Sequence, residues 1–585
     1  MTAQFDVLIR NGTVIDGSGA APVQCDVAIS DSRIVAVGQH LGSAKEIIDA
    51  TGLLVTPGFV DVHTHYDGHA TWENRLVPSS AHGVTTAVIG NCGVGFAPCK
   101  PDQHELLMRL MEGVEDIPHP VLTEGLPWTW ETYPEYLAVL GARQYDMDIA
   151  SYMPHAALRV YVMGQRGVDR EAATPHDIAE MARLLREAMQ AGALGFATSK
   201  MLLHRSSDGS PIPTLAAQED ELLALAMALK DAGKGVIQMV GDFNDALGAT
   251  AQMCRLAEQS GRPLTFSMGT SNRSAPVWPQ LLDMIAAANA AGVQMKGQVM
   301  PRAIGMILGH ELTLNPFYTT STYLQLAQLP LAEKLAQLRK PEVRAHILAE
   351  PVDPNPKNAL GTLVRDFANM FELGDPPNYE PLPEHSIAAR AQQLGVSAEE
   401  YAYDLMLEGE RGTPLYLAMA NYPNGSLDEV GEMLSHPDVI PGLGDGGAHC
   451  GIICDGSYTT FMLTHWARDR TRGEKFSLPA VVKALTSAAA NAVSLHDRGL
   501  IAAGYKADIN IIDFDKLTLH APTITYDLPA KGRRLIQRAD GYVATLINGV
   551  TVYRNGQHTG ALPGRLVRGP QCEPGVVSPI KSAAV

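Results

Sequence analysis

No stretch of the 585 residues approaches the roughly 18 consecutive apolar side chains that a membrane-crossing helix needs. The opening MTAQFDVLIRNG has no basic segment followed by an apolar core, so no secretory signal is expected. Cysteine is scarce: seven residues, an odd number at irregular spacing, which argues against a disulfide framework and for a reducing cytoplasm. Positive charge is also short, with Lys+Arg 45 against Asp+Glu 63 and a net charge of −18. That balance excludes a global attraction to nucleic acid or to an anionic membrane and leaves room only for a local basic patch. No internal repeat is visible. What remains is a globular composition, 46% hydrophobic and 18% charged, with material for a large core.

Residues 1–57 read as short strands. Asp6–Arg10 leads into Asn11-Gly12, a hairpin signal, and then into Thr13–Ile15. Val27–Ile29 and Arg33–Val37 flank another tight turn. The same grammar returns over 500–565, where Ala507–Ile512 reads as a strand and Val543–Ile547 meets Val550–Tyr553 across Asn548-Gly549. Two β-rich ends predict one small β-sandwich built from both termini.

Residues 58–499 alternate strands with helices. Thr174-Pro175 opens a helix as N-cap and first residue, Ile178, Met181, Ala182, Leu185 and Met189 form its apolar stripe, and Gly192 ends it. A second helix carries Leu222, Leu225, Ala226 and Leu229 and stops at Gly233. Eight candidate strands fall near 59–65, 84–91, 147–153, 193–198, 235–240, 264–268, 293–300 and 439–445. This repetition predicts an α/β fold, a (β/α)8 TIM-like barrel. The stretch 301–438 is too long for a simple crossover and is rich in proline (Pro351, Pro354, Pro356, Pro376, Pro377, Pro381, Pro383). It reads as a lid inserted over the barrel mouth or, alternatively, as a structural excursion. The tail, 566–585, reads as an extended arm or as disordered.

Three segments carry chemistry. In PGFVDVHTHYD, strand periodicity puts Asp61, His63 and His65 on one face, where two imidazoles can chelate a metal. In GVTTAVIGNCGVG, Cys92 follows an apolar strand at the carboxyl end, where barrel enzymes place their reacting groups; a thiolate is a good zinc ligand, and a lone cysteine is also a common core residue. In PGLGDGGAH, Asp445 follows the last strand. It could ligate metal and take a proton from water that a metal has acidified, or serve as an ordinary turn residue.

Together these segments resemble the amidohydrolase superfamily, and most closely its N-acyl-D-amino-acid deacylase (D-aminoacylase) branch. LIAAGYKADINIIDF resembles the return into that superfamily's β-sandwich. The resemblance spans about residues 5–560 and implies a zinc-dependent hydrolase of amide bonds. By motif match it implies that His63 and His65 are metal ligands, Cys92 the bridging ligand, and Asp445 the catalytic base and a further ligand. The sequence departs from the branch where its members carry histidines on strands five and six. Here those strands read Ile237-Gln238-Met239-Val240 and Phe266-Ser267-Met268-Gly269. With Gln238 and Met268 in place of imidazoles, one zinc per chain is favoured over two.

Further candidates for substrate contact are Lys200, His204, Arg205, Arg302, His155 and His449. Arg302 is the one suited to bidentate carboxylate recognition. Each has an ordinary structural reading beside the functional one. Cys450 and Cys454 lack companion ligands and read as incidental, and Trp466 with the charged run 468–472 reads as a solvated helix end. The leading expectation is a small-molecule partner, an N-acyl amino acid and in particular the D-enantiomer. Hydrolysis of another amide, a carbamate or a lactone is the alternative within enzymes, and a metal-free scaffold the alternative outside them. Homo-oligomerisation is left open.

Overall fold

The computed structural model describes residues 4–351, 353 and 359–575. Pro354 and Pro356 of the insertion and residues 576–585 of the tail lie outside the described residues. Eight parallel strands lie side by side in chain order: Phe59–Asp61, Val84–Ile89, Asp148–Pro154, Gly195–Ser199, Val236–Val240, Leu264–Met268, Met295–Val299 and Val439–Pro441. The sheet is curled, and its two outermost strands approach each other beyond their ends. Thr64 and Gly446 form a parallel bridge, His65 N–H donates to Gly446 O at 2.8 Å, and Asp445 N–H donates to His63 O at 3.1 Å.

Helices cover the sheet as their sequences direct. Pro175–Ala191 is capped by Thr174, whose side chain accepts from Asp177 N–H, and it ends at Gly192 with φ 108°. Glu219–Asp231 buries Leu222, Leu225, Ala226 and Leu229.

Three strands end earlier than their sequences suggest, and all three ends matter for the site. The first strand stops at Asp61, because Asp61 Oδ1 accepts the His63 N–H at 3.2 Å and so competes with the sheet ladder. The second stops at Ile89, before Gly90 at φ 82° and Cys92 at φ 56°. The eighth stops at Pro441, and Leu443 (φ 60°) and Asp445 (φ 45°) turn the chain back.

Asn11-Gly12 does not make a hairpin. Phe5–Val14 is one continuous strand with a bulge between Ile9 and Gly12 and with Asn11 at φ 61°. The bulge moves one edge of the strand from Ala44–Asp49 to Leu54–Pro57. A Cβ on Gly12 would lie 2.4 Å from Val55 Cγ2, so the close approach there requires glycine. The turn at Asn548-Gly549 does connect paired strands, Tyr542–Ile547 and Val550–Arg554. Ile509–Ile512 pairs with Leu54–Pro57, which places strands from both ends of the chain in one nine-stranded sheet.

The insertion contains a three-stranded antiparallel sheet, Ile304–Leu308, Leu415–Ala420 and Met370–Glu372. Short helices surround it over a separate apolar cluster that includes Met306, Phe317, Leu338 and Tyr403. Trp466 and Arg470 are not solvated. Trp466 is fully buried, and Arg470 donates to Glu380 Oε1 of the insertion at 3.1 Å and lies over the Trp466 ring. The described part of the tail is an arm bound under the sheet. Val567 N–H donates to Ile149 O at 2.7 Å, and Gln571 N–H to Ser494 O at 2.9 Å.

Candidate metal centre

The bridge that draws the outermost strands together also brings His63 and His65 to Asp445. Asp445 Oδ1 lies 3.5 Å from His63 Nε2 and 3.7 Å from His65 Nε2. His63 Nε2 is 3.3 Å from Cys92 Sγ. One donor atom each from His63, His65 and Cys92 fall within 4.8 Å of one another, the only such trio of His, Cys, Asp or Glu among the described residues. Asp445 Oδ1 is buried and has no hydrogen-bond partner.

The orientation of each ligand candidate has a cause. Gln298, on the seventh strand, sets Oε1 2.7 Å from His63 Nδ1, so that nitrogen carries the proton and Nε2 faces Cys92 and Asp445 as a lone pair. Gln238 does not face the cavity as a ligand. Its Oε1 accepts the Cys92 N–H at 3.0 Å and fixes the strained turn that carries the thiol. Met268 packs against Gly297 in the sheet, and the sixth-strand residue on the cavity wall is Ser267.

Charge and burial point the same way. Burial pushes the Cys92 thiol up to about 12 and the His63 imidazole down to about 4. Burial would also lower His65, but Glu115, Asp445 and Cys92 outweigh it and hold that imidazole well above the usual histidine range. Asp445 resists burial because His65, His63 and His449 hold its carboxyl below the usual range. Two imidazoles, a thiol and an unpartnered carboxylate oxygen form a donor set suited to zinc, and a divalent cation there would take the place of the thiol proton.

These groups lie on a cavity of about 440 Å³. Five acidic residues line it, Glu112, Glu115, Asp116, Asp445 and Asp455, against one arginine, Arg205. His204 and His449 also line it; burial lowers the first to about 3 and the second to about 4. Ile304, Thr313 and Met419 of the insertion form part of the wall, so the insertion covers this side of the sheet.

The other three candidates are placed elsewhere. His155 is buried between Thr198 Oγ1 at 2.8 Å and Glu221 Oε1 at 2.9 Å. Lys200, lowered to about 8 by burial, donates to the carbonyls of Leu215 and Ala217. Arg302 is buried off the cavity, donates to Asp455 and Cys454 O and stacks 3.9 Å from the Tyr379 ring centroid. A packed ion pair, not a free fork, occupies that guanidinium.

Sequence reasoning missed Glu115. Its Oε1 lies 3.4 Å from His65 Nδ1 and its Oε2 3.6 Å from His449 Nε2, and burial raises it to about 7. One signal was present: Glu115-Asp116 closes the helix His104–Glu115 at the end where the dipole disfavours acids. Gln298 was missed as well, although a buried amide in a central strand asks for a partner.

Comparison with known proteins adds to this geometry. N-acyl-D-aspartate deacylase of Alcaligenes xylosoxydans xylosoxydans is 28% identical, over 97% of this chain and 95% of that protein. D-aminoacylase of the same organism is 26% identical over 96% and 97%. A D-aminoacylase structure studied for its binuclear metal centre superposes with a TM-score of 0.64 at 23% identity, covering 96% of this chain and all of that one. N-acyl-D-glutamate deacylase from Bordetella bronchiseptica, complexed with zinc and a phosphonate inhibitor, gives 0.62 at 22%, covering 96% and 99%. These two structures share the fold of the curled eight-stranded parallel sheet. The Amidohydrolase family profile matches residues 46–553, a span that runs from the terminal sheet through the clustered His63, His65, Cys92 and Asp445 and back into that sheet, and the chain belongs to this family.

Proposed function

We propose that this chain is a zinc-dependent deacylase of N-acyl amino acids, with the D-enantiomer as the first expectation. The observation that carries the reading is Asp445 Oδ1, unpartnered and within 3.7 Å of both imidazole Nε2 atoms at the wall of an apolar cavity. His63, His65 and Cys92 would hold one zinc ion, with Asp445 as a further ligand. Zinc so held supplies Lewis acidity toward the acyl carbonyl and a lowered pKa for water. The Asp445 carboxylate takes the proton of the attacking water and delivers it to the departing amine nitrogen. Gln298 and Glu115 keep the two imidazoles oriented, and the insertion wall excludes bulk water. Arg205, His204 and His449 are placed to meet the substrate, Arg205 being the group suited to its carboxylate.

The same reading takes residues 58–499 as a closed (β/α)8 barrel that includes the 301–438 insertion. Residues 1–57 and 500–565 are then the two parts of a β-sandwich, and 566–585 the tail. The alignment with deacylases of N-acyl-D-amino acids over nearly the whole chain supports the substrate class. The test is hydrolysis of paired N-acyl-D- and N-acyl-L-amino acids, a carbamate and a lactone by zinc-loaded protein, alongside metal analysis. Cleavage of N-acyl amino acids with about one zinc per chain is expected. Zinc near two per chain would overturn the single-ion site, and a protein that binds no zinc and cleaves nothing would be a scaffold.

A further inference from the structure

Strands four and five pair up to their ends, Ser199 beside Val240, so the loops that leave them are neighbours on the cavity side. Both loops, with the first turn of the helix Ala246–Ser260, hold large apolar side chains in solvent: Leu202 is 45% exposed, Leu203 48%, Phe243 46% and Leu247 42%. Leu203 and Phe243 also line the cavity that contains His63, His65 and Cys92. The exposed rim is therefore continuous with an apolar inner wall of Met201, Val240, Met300, Ile304, Met419 and Ile452. Exposed apolar groups gathered at one mouth mark a binding surface.

Size and charge narrow the occupant. The cavity, about 440 Å³, falls within the roughly 300–1,000 Å³ of sites for drug-sized ligands. An acetyl group would leave most of its apolar wall unfilled. The one guanidinium of the lining, Arg205, is held by its own loop: its NH1 donates to Gly209 O at 3.0 Å. That loop is pinned to the helix carrying Glu115, since Ser207 N–H donates to Arg109 O at 3.0 Å and a Cβ on Gly113 would lie 2.3 Å from Arg205 O. Beside its five acidic residues and the His63, His65 and Cys92 cluster, the cavity thus has one anchored cation and one long apolar wall.

We propose, resting on the deacylase reading above, that the substrate's acyl group is an aliphatic chain of hexanoyl length or longer. It lies along the Met201–Met419 wall and leaves over the rim of Leu203 and Phe243. Each methylene buried there should raise kcat/KM about threefold until the chain passes the rim.

The experiment is a chain-length series of N-acyl-D-alanines, acetyl to decanoyl, on zinc-loaded enzyme. A second series varies the amino acid at fixed acetyl, and both are repeated with Leu203→Ser/Phe243→Ser. The expected result is a rise of about 80-fold or more from acetyl to octanoyl, with a flattened slope in the variant. Equal cleavage of acetyl and octanoyl substrates would overturn the proposal and leave the deacylase reading standing. So would a gain confined to N-acetyl-D-leucine and N-acetyl-D-phenylalanine, which would give the wall to the amino acid side chain. A variant that sediments as a smaller species with its chain-length profile intact would assign the rim to a contact between copies and also overturn the proposal. No cleavage at any length would overturn both readings together.

Discussion

Asp445 occupies a left-handed backbone position, φ 45°, that aims its carboxylate between two imidazoles. Asp445→Asn keeps that shape and removes the proton acceptor. Turnover should fall by about a hundredfold or more, with the circular dichroism spectrum unchanged; activity within about tenfold of wild type would remove Asp445 from the role of base. Gln298 acts one bond further out. Without its carbonyl at His63 Nδ1, the imidazole is free to change tautomer and rotate. Gln298→Ala should weaken zinc binding about 10-fold to 100-fold, read by competition with a chromogenic chelator. Gln298→Glu, which keeps the acceptor, should restore most of the affinity.

Between elements, the insertion is tied to the segment after the eighth strand by Glu380. That carboxylate accepts from Arg470 at 3.1 Å and lies 3.0 Å from His465 Nε2. Burial works against its ionisation, but His465, Arg470 and the Leu427 N–H outweigh burial and hold it at about 2, below the ordinary glutamate value of 4.5. A carboxyl lowered on folding stabilises the native state at neutral pH, and that contribution is lost as pH falls from about 4.5 through about 2. Glu380→Gln would leave Arg470 with Asp428, on the exposed side, as its remaining carboxylate partner, a cost of about 1–3 kcal/mol. The variant should lose its acid-dependent stability over the same interval. Thermal unfolding of both proteins at pH 7 and pH 3 measures it: the gap between them should be wide at pH 7 and narrow at pH 3.

At the scale of the molecule, the chain secures the underside of the curled sheet with its own C-terminal arm. Gly569 N–H donates to Gly192 O at 2.8 Å, Gln571 pairs with Leu495, and Val567 is 8% exposed. The arm joins the third strand to the segment that follows the helix Ala489–Ala492, regions far apart in sequence. Ending the chain at Pro563 should therefore lower Tm by about 2 °C or more relative to a chain that ends at Gly575. Equal stability of the two truncations would show that the arm is dispensable.

Local patterns were enough to place all eight strands, the Thr174 cap and the Asn548-Gly549 turn, and the family resemblance singled out His63, His65, Cys92 and Asp445, which the structure brings together. These depend on short-range patterns: apolar runs, a threonine followed by proline, and motifs confined to a short stretch of chain. The strand ends were not legible, because Asp61 and Pro441 stop their strands through a side-chain bond and a turn that compete with the ladder. Asn11-Gly12 carries the same local signal as Asn548-Gly549. It became a bulge because Leu54–Pro57 and Ala44–Asp49 both pair along one strand edge. Arg302 and His155 have the chemistry of a site, yet both are buried off the cavity lining, where Asp455 and Glu221 occupy their polar atoms. Glu115 and Gln298 have no motif at all. Their meeting with His65 and His63 depends on long-range curling of the sheet, and only the tertiary structure decides which distant side chain completes a hydrogen bond or faces a charge.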